Sequence, residues 1–186
     1  MKSRILGRVL MAAVLLAGGA IAKTKTDANQ PRTDDQIAKA VRHEIVMYPR
    51  YSIFDDIAFN VVNGQVVLNG EVTQPFKKAD IGRLAQQVPG VTSVSNNIQV
   101  LPLSPFDERL RLQVARAVYG NPVLNRYADM ALPPIHIIVD SGHVTLTGVV
   151  STDMEKQVAG MRANTVGLSF GSVTNNLIVE NPAKKS

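Results

Sequence analysis

An internal repeat constrains the fold of this chain more than any other feature of its sequence. The stretch SVSNNIQV, Ser93–Val100, is written again as SVTNNLIV, Ser172–Val179. A longer match places NGQVVLNGEV, Asn63–Val72, over SGHVTLTGVV, Ser141–Val150, at an offset of 78 positions. Self-similarity at a fixed offset is the signature of a duplicated structural unit. We therefore interpret the chain as two copies of one unit.

The repeat continues upstream of these two matches. DDQIAKAVRHEI, Asp34–Ile45, lies over DERLRLQVARAV, Asp107–Val118, at an offset of 73 positions. Because the offset then grows to 78, the second copy has five extra residues before its first strand.

The first half of each unit predicts a helix followed by a β-hairpin. Apolar residues that recur every four positions predict the helix, and Asp34 or Asp35 can cap it. Asn63-Gly64 is a strong signal for a two-residue turn between strands, and Ser141-Gly142 takes its place in the second unit. The apolar residues that define these elements are Ile37, Val41, Ile45, Ile57, Phe59, Val61, Val66 and Leu68, then Leu110, Val114, Val118, Ile135, Val139, Val144 and Val150.

The second half of each unit predicts a helix and a last strand. Thr73 can cap this helix in the first unit, Asp153 can cap it in the second, and Pro75 suits a first helical turn. The last strands are predicted at Val94–Val100 and Val173–Val179. The residues expected to point inward from the two helices are Ile81, Leu84, Ala85 and Val88, then Val158 and Met161.

The second copy departs from the first in this last helix. Arg162 occupies the position of the apolar Leu84 on the inward stripe, and the five residues Gly167–Gly171 replace a simple Gly-Val step. We expect the surroundings of this helix to be the least regular part of the second unit.

These patterns predict an α+β protein with two tandem αββαβ domains. Each domain is expected to be a small three-stranded mixed sheet with two helices on one face. The predicted domains span residues 34–101 and 106–180, joined by a proline-rich linker at 102–105. Residues 23–33 and 181–186 are predicted to be a flexible leader and a flexible tail.

The first residues predict an export signal over 1–22. Lys2, Arg4 and Arg8 are followed by the uncharged run Val9–Ala22, which closes with the small-x-small triplet Ala20-Ile21-Ala22. The run is short for a membrane span, so we favour cleavage near Ala22 over a retained anchor. The chain has no cysteine, which excludes a lipid-modified cysteine at this point. The expected location is the periplasm.

The basic isoelectric point of 9.6 does not indicate a nucleic-acid partner. Of the net charge of +5, the predicted signal peptide holds +3. Residues 34–101 contain six Lys/Arg and seven Asp/Glu, and residues 102–180 contain the same numbers. Each folded unit is therefore close to neutral and lacks the basic surface of a nucleic-acid binder.

The repeated strands resemble the BON domain, a family named for a bacterial osmotically inducible periplasmic protein and for nodulation proteins. The family pattern is Gly-x-Val-x-Leu-x-Gly, a helix, a Gly-Val step and Val-x-Asn-x-Leu-x-Val. Here Gly64–Gly70 and Gly142–Gly148 carry the first element, and Val94–Val100 and Val173–Val179 carry the last. The resemblance implies contact with anionic phospholipid, in an envelope role such as tolerance of osmotic stress.

The motif residues also have a purely structural interpretation. Gly64 and Gly142 suit the positive φ of a tight turn. Gly70 and Gly148 are expected to end a strand where a helix passes close over the sheet. The paired asparagines are expected either to bond exposed backbone at a strand edge or to face water; they are Asn96, Asn97, Asn175 and Asn176.

The sequence contains no pattern that indicates catalysis. The three histidines are His43, His136 and His143, and only the last two, which flank the second hairpin, could approach each other. Two imidazoles without a third ligand make a poor metal site. Asp34-Asp35 and Asp55-Asp56 are interpreted as a helix cap and a loop. We therefore predict no enzyme activity, no cofactor, no metal and no small-molecule substrate.

The first helix of the second unit carries the candidate lipid contacts. Arg109, Leu112 and Arg116 fall on one helical face, opposite the predicted core stripe. Arginine would meet lipid phosphates, and the apolar groups would enter the headgroup boundary. A solvated face without a ligand is the alternative. The full set of candidates is Arg109, Arg111, Leu112, Arg116 and Tyr119.

The favoured function is thus a non-catalytic envelope protein that binds anionic lipid. The main alternative is an assembly module that binds an envelope protein through exposed strand edges. Its anchors would be the loop residues Tyr51, Phe54, Tyr127 and Met130. A cell-wall hydrolase is disfavoured, because no catalytic group is evident.

Overall fold

The computed structural model describes residues 32–167 and 171–180, and it has the predicted α+β architecture of two αββαβ units. The first unit contains helix α1 (Asp34–Val46), strands β1 (Asp56–Val62) and β2 (Gln65–Val72), helix α2 (Pro75–Gln87), and strands β3 (Ser93–Asn96) and β4 (Gln99–Val100). The predicted signal peptide, the leader up to residue 31 and the tail at 181–186 lie outside the described residues.

The second unit repeats this order with one addition. It contains helix α3 (Pro105–Tyr119), the one-turn helix α4 (Asn125–Ala128), strands β5 (Ile135–Asp140) and β6 (His143–Val150), helix α5 (Asp153–Gly167), and strands β7 (Val173–Asn175) and β8 (Ile178–Val179). Helix α4 lies between α3 and β5, in the connection where the repeat predicts five more residues than in the first unit. Helix α3 begins at Pro105, and the Ser104 hydroxyl caps it by accepting from the Asp107 N–H.

The two sheets have the same topology, with the second strand of each hairpin at the centre. β2 pairs antiparallel with β1 and parallel with β3 and β4, and β6 pairs in the same way with β5, β7 and β8. The predicted last strand of each unit is therefore interrupted. The interruptions lie at Asn97-Ile98 and Asn176-Leu177, where the second residue turns inward and is fully or almost fully buried.

Each unit closes its own apolar core beneath its helices. The core stripes Ile37/Val41/Ile45 of α1 and Leu110/Val114/Val118 of α3 are buried as the helical spacing predicts. In α5 the inward prediction for Met161 is wrong, since its side chain is 59% exposed. The small residues Ala159 and Ala163 face the core instead, because α5 packs closely against α3.

A carboxylate from the first helix holds the hairpin turn in each unit. The Asp34 carboxylate accepts hydrogen bonds from the backbone N–H groups of Asn63 and Gly64, at 2.7 and 2.8 Å. The Asp107 carboxylate does the same for Ser141 and Gly142, at 3.1 and 2.9 Å. The prediction that Asp34 or Asp35 caps α1 is wrong, because Thr33 is the N-cap residue and the Asp34 carboxylate binds the hairpin turn.

The helix caps come from residues next to the predicted ones. Thr33 caps α1 in a reciprocal box with Gln36. The N-cap position of α2 is Gln74 and not the predicted Thr73, and the Gln74 side chain makes no cap hydrogen bond. In the second unit the Thr152 hydroxyl, rather than Asp153, accepts from the Glu155 N–H.

The motif glycines serve two purposes, since one pair forms the hairpin turns and the other pair allows a neighbouring backbone to come close. Gly64 and Gly142 have φ angles of 75° and 83°, as a tight turn requires. At Gly70, with φ of 114°, a side chain would overlap the carbonyl group of Asp56 on the neighbouring strand. At Gly148 a side chain would overlap the carbonyl group of Pro134, which directly precedes β5. The expectation that a helix passes close to these glycines is therefore wrong, because the backbone at the start of the neighbouring strand does.

The first asparagine of each pair fastens a helix to the sheet. The Asn96 amide donates to the Lys78 carbonyl of α2 at 2.8 Å, and the Asn175 amide donates to the Lys156 carbonyl of α5 at 2.7 Å. Gly82 and Gly160 leave the space for these amides, since a Cβ at either position would clash with them. The second asparagines, Asn97 and Asn176, are exposed.

The carboxylate that holds the first hairpin should be worth a measurable part of the stability. Asp34→Ala removes the acceptor of two backbone N–H groups, and we expect the free energy of unfolding to fall by about 1–3 kcal/mol. Urea denaturation followed by circular dichroism measures this change. Asp35→Ala is the matched control and should stay within about 0.5 kcal/mol of the parent. Equal effects of the two substitutions would contradict the assignment.

Candidate functional site

Helix α3 presents the predicted arginine-containing face to the surface. Arg109 and Arg116 are exposed, and Leu112 between them is 40% exposed. Phe106, one turn earlier, is 38% exposed. The opposite side of α3 is buried in the second core. The sequence therefore placed these side chains correctly on the exterior of the second unit.

Two of the predicted lipid contacts face inward, and their inclusion is wrong. Arg111 is 4% exposed, donates to the Val139 carbonyl at 2.7 Å and pairs with Glu108 at 3.2 Å. The half-buried Tyr119 donates its hydroxyl to the Ile135 carbonyl, and burial raises the pKa of that hydroxyl. Both side chains bond the backbone of β5, so neither can reach a membrane surface.

Helix α5 adds a cation and an apolar group to the same surface. The Arg162 side chain is exposed and donates through Nε to the Ala117 carbonyl of α3, at 3.2 Å. Met161 precedes it and is exposed. We call the set Arg109, Leu112, Arg116, Met161 and Arg162 the arginine face. In the sequence, the only sign of the α5 part was that Arg162 stands at the position of the apolar Leu84 of the first unit.

The carboxylates of α3 do not neutralise this face. Asp107 is buried against the hairpin turn, and Glu108 pairs with Arg111. The first unit offers no equivalent surface, because Gln36, Lys39 and His43 stand at the positions of Arg109, Leu112 and Arg116. The arginine face thus distinguishes the second unit from the first.

A buried ion pair closes the corner between β2 and α2. The Asp55 carboxylate is fully buried and accepts from the Lys77 ammonium at 2.6 Å, and from the N–H and hydroxyl groups of Ser52 and Thr73. This role was not predicted from the sequence, in which Asp55 was interpreted as a loop residue. Five hydrogen bonds thus hold the Asp55 carboxylate in this corner.

The corresponding corner of the second unit carries the opposite charge. Glu155, 78 positions after Lys77, pairs with Arg126 at 2.5 Å and accepts from the Tyr127 hydroxyl at 3.0 Å. The Ser151 and Thr152 N–H groups complete its bonding. Lys77 and Glu155 therefore occupy equivalent buried positions with opposite charges, and each stabilises the corner of its own unit.

The two histidines near the second hairpin do not come together. The buried His136 donates through Nδ1 to the Asp55 carbonyl at 2.6 Å, and its ring lies 5.6 Å from that of Tyr51. The exposed His143 bonds the Ser172 hydroxyl through Nδ1, at 2.8 Å. Within residues 32–167 and 171–180, no group of three or more potential metal ligands is found.

Most of the proposed protein-binding anchors are used inside the molecule. Phe54 packs against the second core, Tyr51 lies on His136, and Tyr127 is only 6% exposed. Among the four proposed anchors, only Met130 keeps half of its side chain exposed at the surface. The loop that carries Tyr51 and Phe54 instead joins the units, because the Ile53 carbonyl accepts from the Ile137 N–H at 2.7 Å.

Both units, with their shared topology and their asparagine contacts, match one family along their whole length. The matches to the BON domain cover residues 33–102 and 107–181. The chain belongs to the BON domain family. BON domains are non-catalytic modules that are associated with membrane and lipid binding. The first unit is BON domain 1, and the second, with the arginine face, is BON domain 2.

Other comparisons add little to this assignment. No curated protein matches the chain significantly. Two solved structures of CdsD, a structural protein of the type III secretion system of Chlamydia trachomatis, share 18% and 15% identity with it, and the second is the C-terminal domain. Each match covers 80% of this chain, and 93% and 99% of the other, with TM-scores of 0.27 and 0.29.

No helix in the described part of the BON protein is long and apolar enough to cross a bilayer.

An acidic group at the back of the first sheet should make stability depend on pH. Burial, and then the nearby Asp56 and Asp140 carboxylates, raise the pKa of Glu71. The pKa of Glu71 is higher in the folded state than in the unfolded state. Ionisation of Glu71 therefore lowers the stability as the pH rises through the range between these two pKa values. Glu71→Gln should therefore be more stable than the parent at pH 7. The gain should vanish as the pH falls below the pKa of an ordinary glutamate, which denaturation at a series of pH values measures.

Proposed function

We propose that this BON protein is a peripheral, non-catalytic binder of anionic phospholipid at an envelope membrane, and that BON domain 2 makes the contact. The observation that supports it is the arginine face, in which Arg109, Arg116, Arg162, Leu112 and Met161 are all exposed. Helices α3 and α5 lie side by side and present these groups together.

The chemistry of this surface suits a lipid headgroup layer. Guanidinium groups form paired hydrogen bonds with phosphate oxygens, which ammonium groups cannot match. Leucine and methionine side chains of this exposure enter the boundary between headgroups and acyl chains. Each cation near an anionic surface contributes about 1 kcal/mol. Three arginines therefore support reversible binding that weakens as ionic strength rises.

The predicted export signal supports an envelope location for this binding. An exported protein meets membrane surfaces in the periplasm, and a reversible contact would keep it at those surfaces without an anchor. We propose that the protein supports envelope integrity or tolerance of osmotic stress in this way. Binding to an envelope protein is the alternative role for the same location.

Charge reversal on the arginine face tests the lipid contact. Arg109→Glu combined with Arg116→Glu should weaken binding to vesicles that contain phosphatidylglycerol. Loss of two cations, at about 1 kcal/mol each, corresponds to a roughly thirtyfold weaker affinity, and repulsion between the two new carboxylates and the anionic lipid weakens it further. Flotation of the protein with phosphatidylglycerol vesicles and with neutral phosphatidylcholine vesicles measures the difference.

The matched control makes the same change of net charge in BON domain 1. Lys39→Glu combined with Arg83→Glu alters two exposed cations on α1 and α2, and it should leave vesicle binding almost unchanged. Equal binding to both kinds of vesicle would refute the lipid proposal. Equal losses for the two double variants would show that net charge, and not the arginine face, governs the contact.

A further inference from the structure

The only Asn-Gly pairs of the chain lie in BON domain 1. Asn63-Gly64 forms the turn between β1 and β2, and Asn69-Gly70 lies within β2. The repeat places Ser141-Gly142 and Thr147-Gly148 at the equivalent positions of BON domain 2. An asparagine before a glycine is chemically labile, because a glycine has no side chain to hinder its nitrogen from approaching the asparagine amide. The two domains therefore differ in lability at matched positions of the same hairpin.

The reaction at such a pair is deamidation, and water is its only co-reactant. The Gly64 main-chain nitrogen loses its proton and bonds to Cγ of Asn63, the bond between Cγ and Nδ2 breaks, and ammonia leaves with that proton. Water then opens the resulting succinimide ring to give aspartate or isoaspartate at this position. The attacking nitrogen must therefore become negatively charged, and it must be able to move toward the Asn63 side chain.

The closed hairpin opposes both requirements. The Gly64 N–H donates to the Asp34 carboxylate at 2.8 Å, so loss of its proton would place a second negative charge beside that carboxylate. The Gly64 carbonyl accepts from the Thr92 N–H at 2.9 Å, and a side chain at Gly64 would clash with the Gly90 carbonyl. Gly64 is therefore held in place by its own hydrogen bonds and by the backbone around it. The Asn63 side chain is exposed, so water reaches it and its protection depends on Gly64.

The second Asn-Gly pair is protected by the sheet and not by Asp34. Gly70 lies opposite Ile57 in the register of β1 and β2, and the Asn69 side-chain oxygen accepts from the Asn97 amide at 3.4 Å. Deamidation of Asn69 should therefore follow opening of the sheet, whereas deamidation at the turn should also depend on the charge of Asp34. The second pair thus serves as an internal reference for the first.

We propose that Asn63-Gly64 is a latent deamidation site of BON domain 1, and that the Asp34 carboxylate keeps it inactive while the hairpin is closed. Local opening of the turn removes this contact and allows an irreversible reaction. The product prevents the original turn from forming again, because it places a carboxylate beside Asp34, and because isoaspartate lengthens the backbone of a two-residue turn. In BON domain 2, Ser141 has no side-chain amide to lose, so the second hairpin is not subject to this reaction.

Peptide mass mapping of the full chain, kept in mildly alkaline buffer, measures the formation of aspartate and isoaspartate at Asn63 and Asn69 separately. Asn63 in the folded protein should react at least about tenfold more slowly than in the free peptide NVVNGQVV, residues 60–67. Asp34→Asn keeps a side-chain oxygen at the turn but removes the charge, and it should raise the rate at Asn63 about tenfold while the rate at Asn69 stays as in the parent. Asp35→Asn is the matched control and should change neither rate.

The comparison of the parent protein with the free peptide does not depend on the folding of any variant. Reaction of Asn63 at the same rate in both would overturn the proposal. An Asp34→Asn protein in which Asn63 and Asn69 are accelerated equally would also overturn it, because opening of the sheet, and not the carboxylate, would then control the reaction. An unchanged rate at Asn63 in the Asp34→Asn protein would have the same meaning.

Discussion

The structure depends on how the outer edge of the first strand in each sheet finds partners for its backbone groups. A sheet edge that lacks such partners invites pairing with another chain. In BON domain 2, Arg111, Tyr119 and the Ile53 carbonyl meet this demand. One consequence is the junction of the two domains, because the Ile53 loop belongs to BON domain 1. Another is that Arg111 leaves the exposed face of its helix.

The same framework therefore supports two different surfaces. Both domains keep the carboxylate that holds the hairpin and the asparagine that fastens the second helix, since those contacts define the fold. The two domains differ at positions that take no part in these contacts. BON domain 2 uses its closed edge and gathers exposed arginines on α3 and α5. BON domain 1 has Gln36, Lys39 and His43 at the positions equivalent to Arg109, Leu112 and Arg116, and a groove lies between its α1 and β1.

Local patterns predicted elements better than they predicted contacts. The spacing of Ile37, Val41 and Ile45 was sufficient to place α1 and its buried side, because a helix of this pattern has one apolar face whatever it packs against. The role of Asp34 was not predictable in the same way. A carboxylate at the start of a helix suits a cap, and only the approach of the hairpin turn, about thirty residues later, gives it stronger partners.

The sequence by itself determined the duplication, the order of elements, the turns and most of the core, since these follow from periodicity and from residues a few positions apart. Tertiary structure alone decided that Arg111 is buried, that Arg162 contacts α3, and that the outer edge of β5 is closed. These outcomes depend on donors and acceptors from separate helices, loops and domains. A backbone carbonyl such as that of Val139 has no sequence signature, so only the folded arrangement shows which side chain reaches it.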